Sequence, residues 1–572
     1  MKRTHYVSVL VAALSAGALG GTACSSPAGA EATGSGAQAA SSDNCSWWSH
    51  ERAARQAVVD KFLATNATAF QSFKDTPLGN LGVPMIMLRV FPEIFPEIWG
   101  QPSENFAPVG FAADPYETRA LPLGLGFAGS TPAVQTPAGP ININVVTLTC
   151  MGCHGGRVQG PDGVVHTVPG APNTQFDGFR TAVYNTVNDP RYTVANFRAA
   201  LNAHPLGWVY GDPTLGQQEA IERAIFNTDV PAGAPAGTLS PADQMLLQLQ
   251  AGSNFGARRF GATLGTYTYA PQGANAPDPG GHTPGYLDAI GAGISIVVDP
   301  TVLTNPADLQ AALPPAPAMI DIMSVWTQSE RPAAQWDGSI KNHLHRNLAA
   351  EFGVIGDPTH LSMQNADLTT PFTDAMPSPP YPFDVQTDAA ARGQHLYNHY
   401  CASCHTANNA TIFSTATVGT DPNRANIWKP YSVGALRQVL RLACTDTVTC
   451  NQADGSPLPD TDIVNPTGGY MALPLDGIWA RAPYLHNGSV PTLAALLTGD
   501  RPAQFYRGNV TYDEKNVGFT SDTATSPYAA IYDTTKSGNS NVGHSSAAFT
   551  GGIDWKANPG KLADLLEYLK TL

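Results

Sequence analysis

Charge is scarce in this chain. Of its 572 residues only 13% are Asp, Glu, Lys or Arg, well under the ~25% of ordinary soluble domains. Positive charge is the scarcer sign, with 31 basic residues against 45 acidic and a net charge of −14. A chain this acidic has no electrostatic case for gripping a phosphate backbone, which sets nucleic acid aside as a partner. Beyond the N-terminus no apolar run approaches the ~18 residues of a membrane span, which excludes a multi-span protein. No internal repeat with a period of about 20–50 residues appears, so solenoids and propellers are set aside as well. What is plentiful is Gly (55) and Pro (48), within a 43% hydrophobic composition. That mixture predicts long ordered loops around a substantial core and not disorder, because apolar and aromatic residues continue along most of the chain.

The N-terminus reads as an export signal over residues 1–23. Lys2 and Arg3 are followed by an apolar stretch from Val7 to Leu19, then by small residues up to Cys24. This is the layout of a signal peptide. Gly21-Thr-Ala-Cys24 is an imperfect lipoprotein box, so Cys24 is a candidate lipid anchor, with ordinary cleavage nearby as the alternative. Residues 24–42, rich in Ala, Gly and Ser, read as a flexible tether. The protein is therefore expected in the periplasm, at the cell surface or secreted, touching membrane only through such an anchor. In that setting Cys444 and Cys450, which enclose five residues, read as a local disulfide. Cys45 is left over.

The remaining four cysteines carry the chemistry. Cys150-Met-Gly-Cys153-His154 and Cys401-Ala-Ser-Cys404-His405 are two Cys-x-x-Cys-His motifs. This spacing attaches c-type haem: each thiol forms a thioether to a vinyl group, and the adjacent histidine ligates the iron. Zinc would need a second ligand pair near each motif, and none is present. Two covalent c-type haems follow as cofactors. The spacing before the second motif predicts a helix over 387–400, whereas the alternating β-branched run 141–149 predicts extended chain before the first. His395 and His399, four apart on that helix, read as a polar face. His343 and His345 read as surface groups or as groups behind a ligand.

Sixth ligands decide whether a haem only transfers electrons or also binds an oxidant. For the second haem the candidates are His544, in a turn-rich loop, with His486 and Met471 as rivals. For the first haem Met319, Met323, His166 and His204 are available, none stands out, and an open iron is the expectation. Trp326, Trp336 and Tyr400 are aromatic groups suited to lie between haems, and Arg481 is a candidate propionate partner.

The expected fold is mainly α and loop-rich, with two cytochrome c-like haem domains and long irregular insertions. Residues 43–375 form the first haem domain. The Pro-rich stretch 376–383 reads as a stiff polar linker. Residues 384–572 form the second domain, ending in a helix over 559–572 whose Leu562, Leu565, Leu566 and Leu569 make an apolar stripe. The stretch 252–293 is expected to cap the first haem.

Several segments resemble the bacterial dihaem cytochrome c peroxidase superfamily, which includes the MauG-type enzymes. They are similar above all to its rubber oxygenase branch. These are Leu148-Thr-Cys-Met-Gly-Cys-His-Gly-Gly156 with Val168-Pro-Gly-Ala-Pro-Asn-Thr174, the stretch from Leu473 to Thr492, and Gly538-Asn-Ser-Asn-Val-Gly-His544. The resemblance implies a haem-dependent oxidoreductase. His154 would be the proximal ligand of the reactive haem, His405 proximal at the second haem, and His544 its distal partner. It implies O₂ as oxidant and oxidative cleavage of an apolar unsaturated substrate such as polyisoprene. Two alternatives stand beside it: a hydrogen-peroxide reductase fed by a small redox protein, and an electron carrier with two closed haems.

Overall fold

The structure is a computed structural model that describes residues 42–79, 82–116, 121–130, 133–173, 177–263, 289–298, 302–314, 318–355, 357–444, 451–452, 454–526, 529–544 and 552–572. The expected signal, tether start, Cys24 and Cys450 lie outside the described residues. Cys444 is disulfide-bonded. Among the described residues no helix is long and apolar enough to cross a membrane.

The architecture is moderately helical and rich in loops, with small antiparallel sheets. One sheet has three strands: Asn144–Leu148 lies between Val83–Pro84 and Leu125–Gly129. Its central strand is the β-branched run before the first motif, and it leads directly into the short helix Cys150–His154. The second motif is delivered by the expected helix Thr387–Tyr400. That helix crosses the C-terminal helix Pro559–Lys570 at Gly393, where a Cβ would stand 2.0 Å from the Asp564 carbonyl oxygen. Only glycine permits so close a backbone approach. Leu565, Leu566 and Leu569 are buried there, as the apolar stripe requires.

Among the described residues, three large cores hold the molecule together. The first gathers residues from Val83 to Leu246 and includes Phe91, Trp99 and Phe197. The second runs from Trp48 to Leu569, and the third from Ile290 to Val464. The Pro-rich stretch 376–383 is not a solvated spacer. Met376 and Tyr381 are fully buried in the second core, and Trp48 Nε1 donates to the Phe383 carbonyl at 2.8 Å. The apolar members of the stretch outweigh its prolines, and the chain on both sides packs onto it. Of the expected cap over 252–293, residues up to 263 end the helix Pro241–Thr263 and those from 289 begin Ala289–Val297; residues 264–288 lie outside the described residues.

Two haem-type motifs on one duplicated frame

At the second motif the helix ends by folding its last amides inward: Cys401 N donates to Tyr397 O at 2.8 Å and His405 N to Cys401 O at 3.0 Å. Tyr397 Oη donates to His405 O at 3.0 Å. His405 Nδ1 lies 2.8 Å from the Leu473 carbonyl oxygen. Such a bond fixes the tautomer and orientation of a metal-binding imidazole and leaves Nε2 for the metal. Across from it stands His544, with ring centroids 6.0 Å apart. Two imidazoles on one iron require about 6 Å, from two metal–nitrogen bonds of about 2 Å and about 1.1 Å from nitrogen to ring centre on each side. The residues present therefore fit a haem. The loop carrying His544 is pinned by its own amide, which donates to Val418 O at 3.0 Å, and by Gly543, packed onto Thr420. Burial first, then the charge of His405, holds His544 down to about 4.

The rivals face elsewhere. His486 is buried, stacks on Tyr470 with centroids 4.3 Å apart, and accepts the Asp321 amide on its carbonyl at 2.7 Å. Met471 sits on the strand Gly469–Met471 opposite Ile412, its sulfur against Gly338. His395 and His399 are exposed, as a polar face should be. His343 and His345 are not surface groups. They open the buried helix His343–Ile355; His345 is 1% exposed, and His343 Nδ1 lies 2.6 Å from Asp374. Arg481 is taken up by Asp476 at 2.7 Å and by the Pro474 carbonyl at 2.7 Å.

At the first motif, His154 O accepts the Gly170 amide at 2.7 Å and Cys153 O the Asn173 amide at 2.8 Å. Burial drives His154 down to about 3, helped by the charges of Arg346 and Arg331 and opposed by the Met323 backbone; its Nδ1 is buried with no hydrogen-bond partner. Burial likewise pushes the Cys150 thiol up to about 12 and Cys401 to about 11. None of the four motif cysteines is in a disulfide. Among the described residues no group of three His, Cys, Asp or Glu gathers as a metal site, so the zinc alternative has no ligand set there.

Met323 and Leu473 are 150 residues apart, and this offset recurs through the surrounding chain. The 3-10 turns Gln328–Glu330 and Ile478–Ala480 correspond. Arg331 Nη1 donates to the Ser324 carbonyl at 2.7 Å and Arg481 Nη1 to that of Pro474 at the same distance. Arg331 Nη2 bonds Trp326 O, and Arg481 Nη2 bonds Asp476 O. The bridges Ala334–Ile340 and Tyr484–Val490 correspond, as do the left-handed Gln335 and Leu485, and Gly338 and Gly488. Asn342 Oδ1 caps the His345 amide and Thr492 Oγ1 the Ala495 amide, both at 3.1 Å. The two copies also exchange bonds: Asp321 N donates to His486 O, and Met471 N to Trp336 O. In sequence the signal is Arg-x₆-Gly-Ser-[Ile/Val] at 331 and 481, too far apart for a short-period search.

Uncharacterized protein y4iM of Sinorhizobium fredii is 33% identical over 438 residues, 68% of this chain and all of that protein. The chain belongs to the y4iM family. Two further uncharacterized proteins of that organism match parts of this family member. One is y4iJ, 32% identical over 236 residues, 33% of this chain and 39% of that protein. The other is y4iN, 36% identical over 113 residues, 18% of this chain and 54% of that protein. Residues 68–154 match the Y4iN-like domain, ending at the first motif histidine. Residues 469–507 match the RoxA-like, cytochrome c-like family. That match contains Leu473, Arg481 and the turn through Gly488. A cytochrome c-like domain of this kind carries covalently bound c-type haem, so this part of the y4iM-family chain is cytochrome-related.

Proposed function

We propose that this chain is an exported dihaem c-type oxidoreductase. Cys150, Cys153 and His154 hold one haem. Cys401, Cys404 and His405 hold a second, with His544 as its sixth ligand. The observation that carries this reading is the duplicated frame. His405 Nδ1 lies 2.8 Å from the Leu473 carbonyl that begins one copy of it, and the Met323 backbone at the equivalent place in the other copy acts on His154, whose Nδ1 is buried without a hydrogen bond. When bound, a haem closed on both sides transfers electrons, and one with an open side binds O₂ or peroxide. His544 closes the second site. His154 holds the first from one side, with the Phe- and Trp-rich first core built against Cys153. The disulfide at Cys444 supports export, because such bonds persist in oxidising compartments. Residues 1–23 serve as the signal, and Cys24 is a candidate anchor.

Within this class we assign the activity as oxidative cleavage of an apolar unsaturated substrate such as polyisoprene, with O₂ as oxidant. The sequence resemblance to the rubber oxygenase branch supports it; the RoxA-like match over residues 469–507 supports a cytochrome-related role. The test is O₂ uptake by protein holding both haems on a polyisoprene emulsion without added reductant. Uptake that disappears in His154→Ala, with the second haem retained, is the expected result. No uptake sinks the oxygenase reading and favours a hydrogen-peroxide reductase. Cyanide or CO binding at one haem excludes a pure electron carrier.

A further inference from the structure

The two copies of the frame share turns and main-chain hydrogen bonds but not their charges, and the sharpest difference lies one turn into the helix that follows each. In the first copy this position is Arg346; in the second it is Leu496. Arg346 is 8% exposed, and its Nε and one terminal nitrogen are buried with no hydrogen-bond partner. Leaving a buried charged donor unmatched is costly, so such a group is retained where something accepts from it. Its surroundings say where. The guanidinium interacts electrostatically with both Cys150 and His154, the two ends of the first motif. One turn earlier on the same helix, His343 turns Nδ1 to Asp374 and leaves Nε2 buried and unpartnered. Asp374 also attracts Arg346 but makes no hydrogen bond to it.

The corresponding arginines of the frame are not available for such a role. Arg331 and Arg481 place both terminal nitrogens on carbonyls and leave only Nε unpartnered. Arg501, whose charge reaches His544, is spent on the carbonyls of Leu496, Ala495 and Asn541. Arg346 is thus a buried cation with an unused fork beside the first motif, and its equivalent beside the second is an aliphatic side chain.

We propose that Arg346, with His343 Nε2 beside it, anchors a propionate carboxylate of the first haem, a site the second haem lacks. The proposal rests on the dihaem reading. A guanidinium matches a carboxylate with two parallel hydrogen bonds. Held in a dry site near the iron, it also opposes the extra positive charge of the ferric state. It therefore raises the potential of the first haem selectively.

The experiment is spectroelectrochemistry on the full haem-loaded protein, with haem at each motif verified by peptide mass mapping. In Arg346→Gln and Arg346→Leu both haems remain attached, the first haem's potential falls, and the second's stays put. Arg346→Lys keeps the charge but loses the fork. It holds the potential near the original while shifting the propionate bending bands of one haem in resonance Raman spectra. Two attached haems with both potentials unmoved in the neutral variants overturn the proposal. So do unshifted bands in Arg346→Lys, which serves as the test should the neutral variants fail to accumulate. Haem found only at Cys401 and Cys404 in the unmodified protein is a different failure: it removes the dihaem reading itself, and the anchor with it.

Discussion

Residues 321–346 and 471–496 share equivalent turns, left-handed residues, caps and arginine–carbonyl bonds, yet few of their side chains agree, and the cis peptide Ala482–Pro483 belongs to one stretch alone. The agreements are the residues the backbone demands. Gly338 and Gly488 have φ values of 64° and 61°, where a Cβ is penalised. Arg331 and Arg481 tie the turn to the strand before it. The disagreements are the groups that set chemistry: Trp336 against His486, Asp337 against Asn487, His345 against Ala495, Arg346 against Leu496. A duplicated frame can diverge freely wherever the main chain's own hydrogen bonds already define the shape. The spacing has diverged too. His154 and Met323 are 169 residues apart, His405 and Leu473 only 68. The surplus in the first half supplies much of the first core, including Phe179, Phe197 and Phe226.

The comparison breaks most completely at the thiols. Cys401→Ala with Cys404→Ala is expected to abolish covalent haem at that motif and leave the other loaded; the pair Cys150→Ala and Cys153→Ala does the reverse. Haem staining of separated peptides after denaturation checks both. Loss of all haem from one pair alone would mean the halves do not mature independently.

Asp337 and Asn487 occupy one position with opposite polarity. Asp337 accepts from Arg424 at 3.0 Å and Trp428 at 2.7 Å, fully buried. Asn487 Nδ2 donates to the Gly538 and Ser540 carbonyls. Asp337→Asn strands a buried guanidinium and is expected to cost about 3 kcal/mol. Asn487→Ala forfeits two hydrogen bonds and is expected to cost about 2 kcal/mol. Denaturant midpoints with unchanged slopes would register both, and equal losses would erase the proposed difference.

Titration separates Trp336 from His486. Burial holds His486 down to about 3, below its unfolded value near 6.5, so the unfolded chain takes up its proton first. Stability is therefore lost as pH falls from about 6.5 toward 3, by about 1 kcal/mol per pH unit for this group. The indole at the equivalent position, Trp336, takes up no proton in this range and adds nothing to that loss. His486→Phe should flatten the acid limb, and an unchanged acid limb would show that His486 does not drive it. Glu351 acts in the opposite sense: its raised carboxyl withdraws stability as pH climbs from about 4.5 toward 7.

The smallest effect tests the likeness itself. Asn342→Ala and Thr492→Ala each remove a cap at the same site of the two frames, and each is expected to cost about 1 kcal/mol. Losses differing by more than twofold would show that the helices depend on their caps unequally.

Both motifs, the helix Thr387–Tyr400, the extended run before Cys150 and the terminal leucine stripe could be read along the chain, because attachment chemistry and periodicity are local. His544 is favoured over His486 and Met471 by its turn-rich loop and by the family resemblance, but only folding sets it 6.0 Å from His405. The burial of His345 and part-burial of His343 are hidden for a related reason, since their two-residue spacing gives no sign of which helix faces will close over them. The Pro-rich stretch was misjudged as polar because Met376 and Tyr381 are enclosed by residues distant in sequence.

Sequence alone thus determined where the two Cys-x-x-Cys-His motifs lie and which segments wind or extend, because motif spacing and helical periodicity depend on neighbours a few residues away. Tertiary structure decided which histidine faces which, that two distant stretches are copies of one frame, and that Arg346 is buried without a partner. Those facts depend on which surfaces meet, and that is fixed only when the whole chain excludes water together.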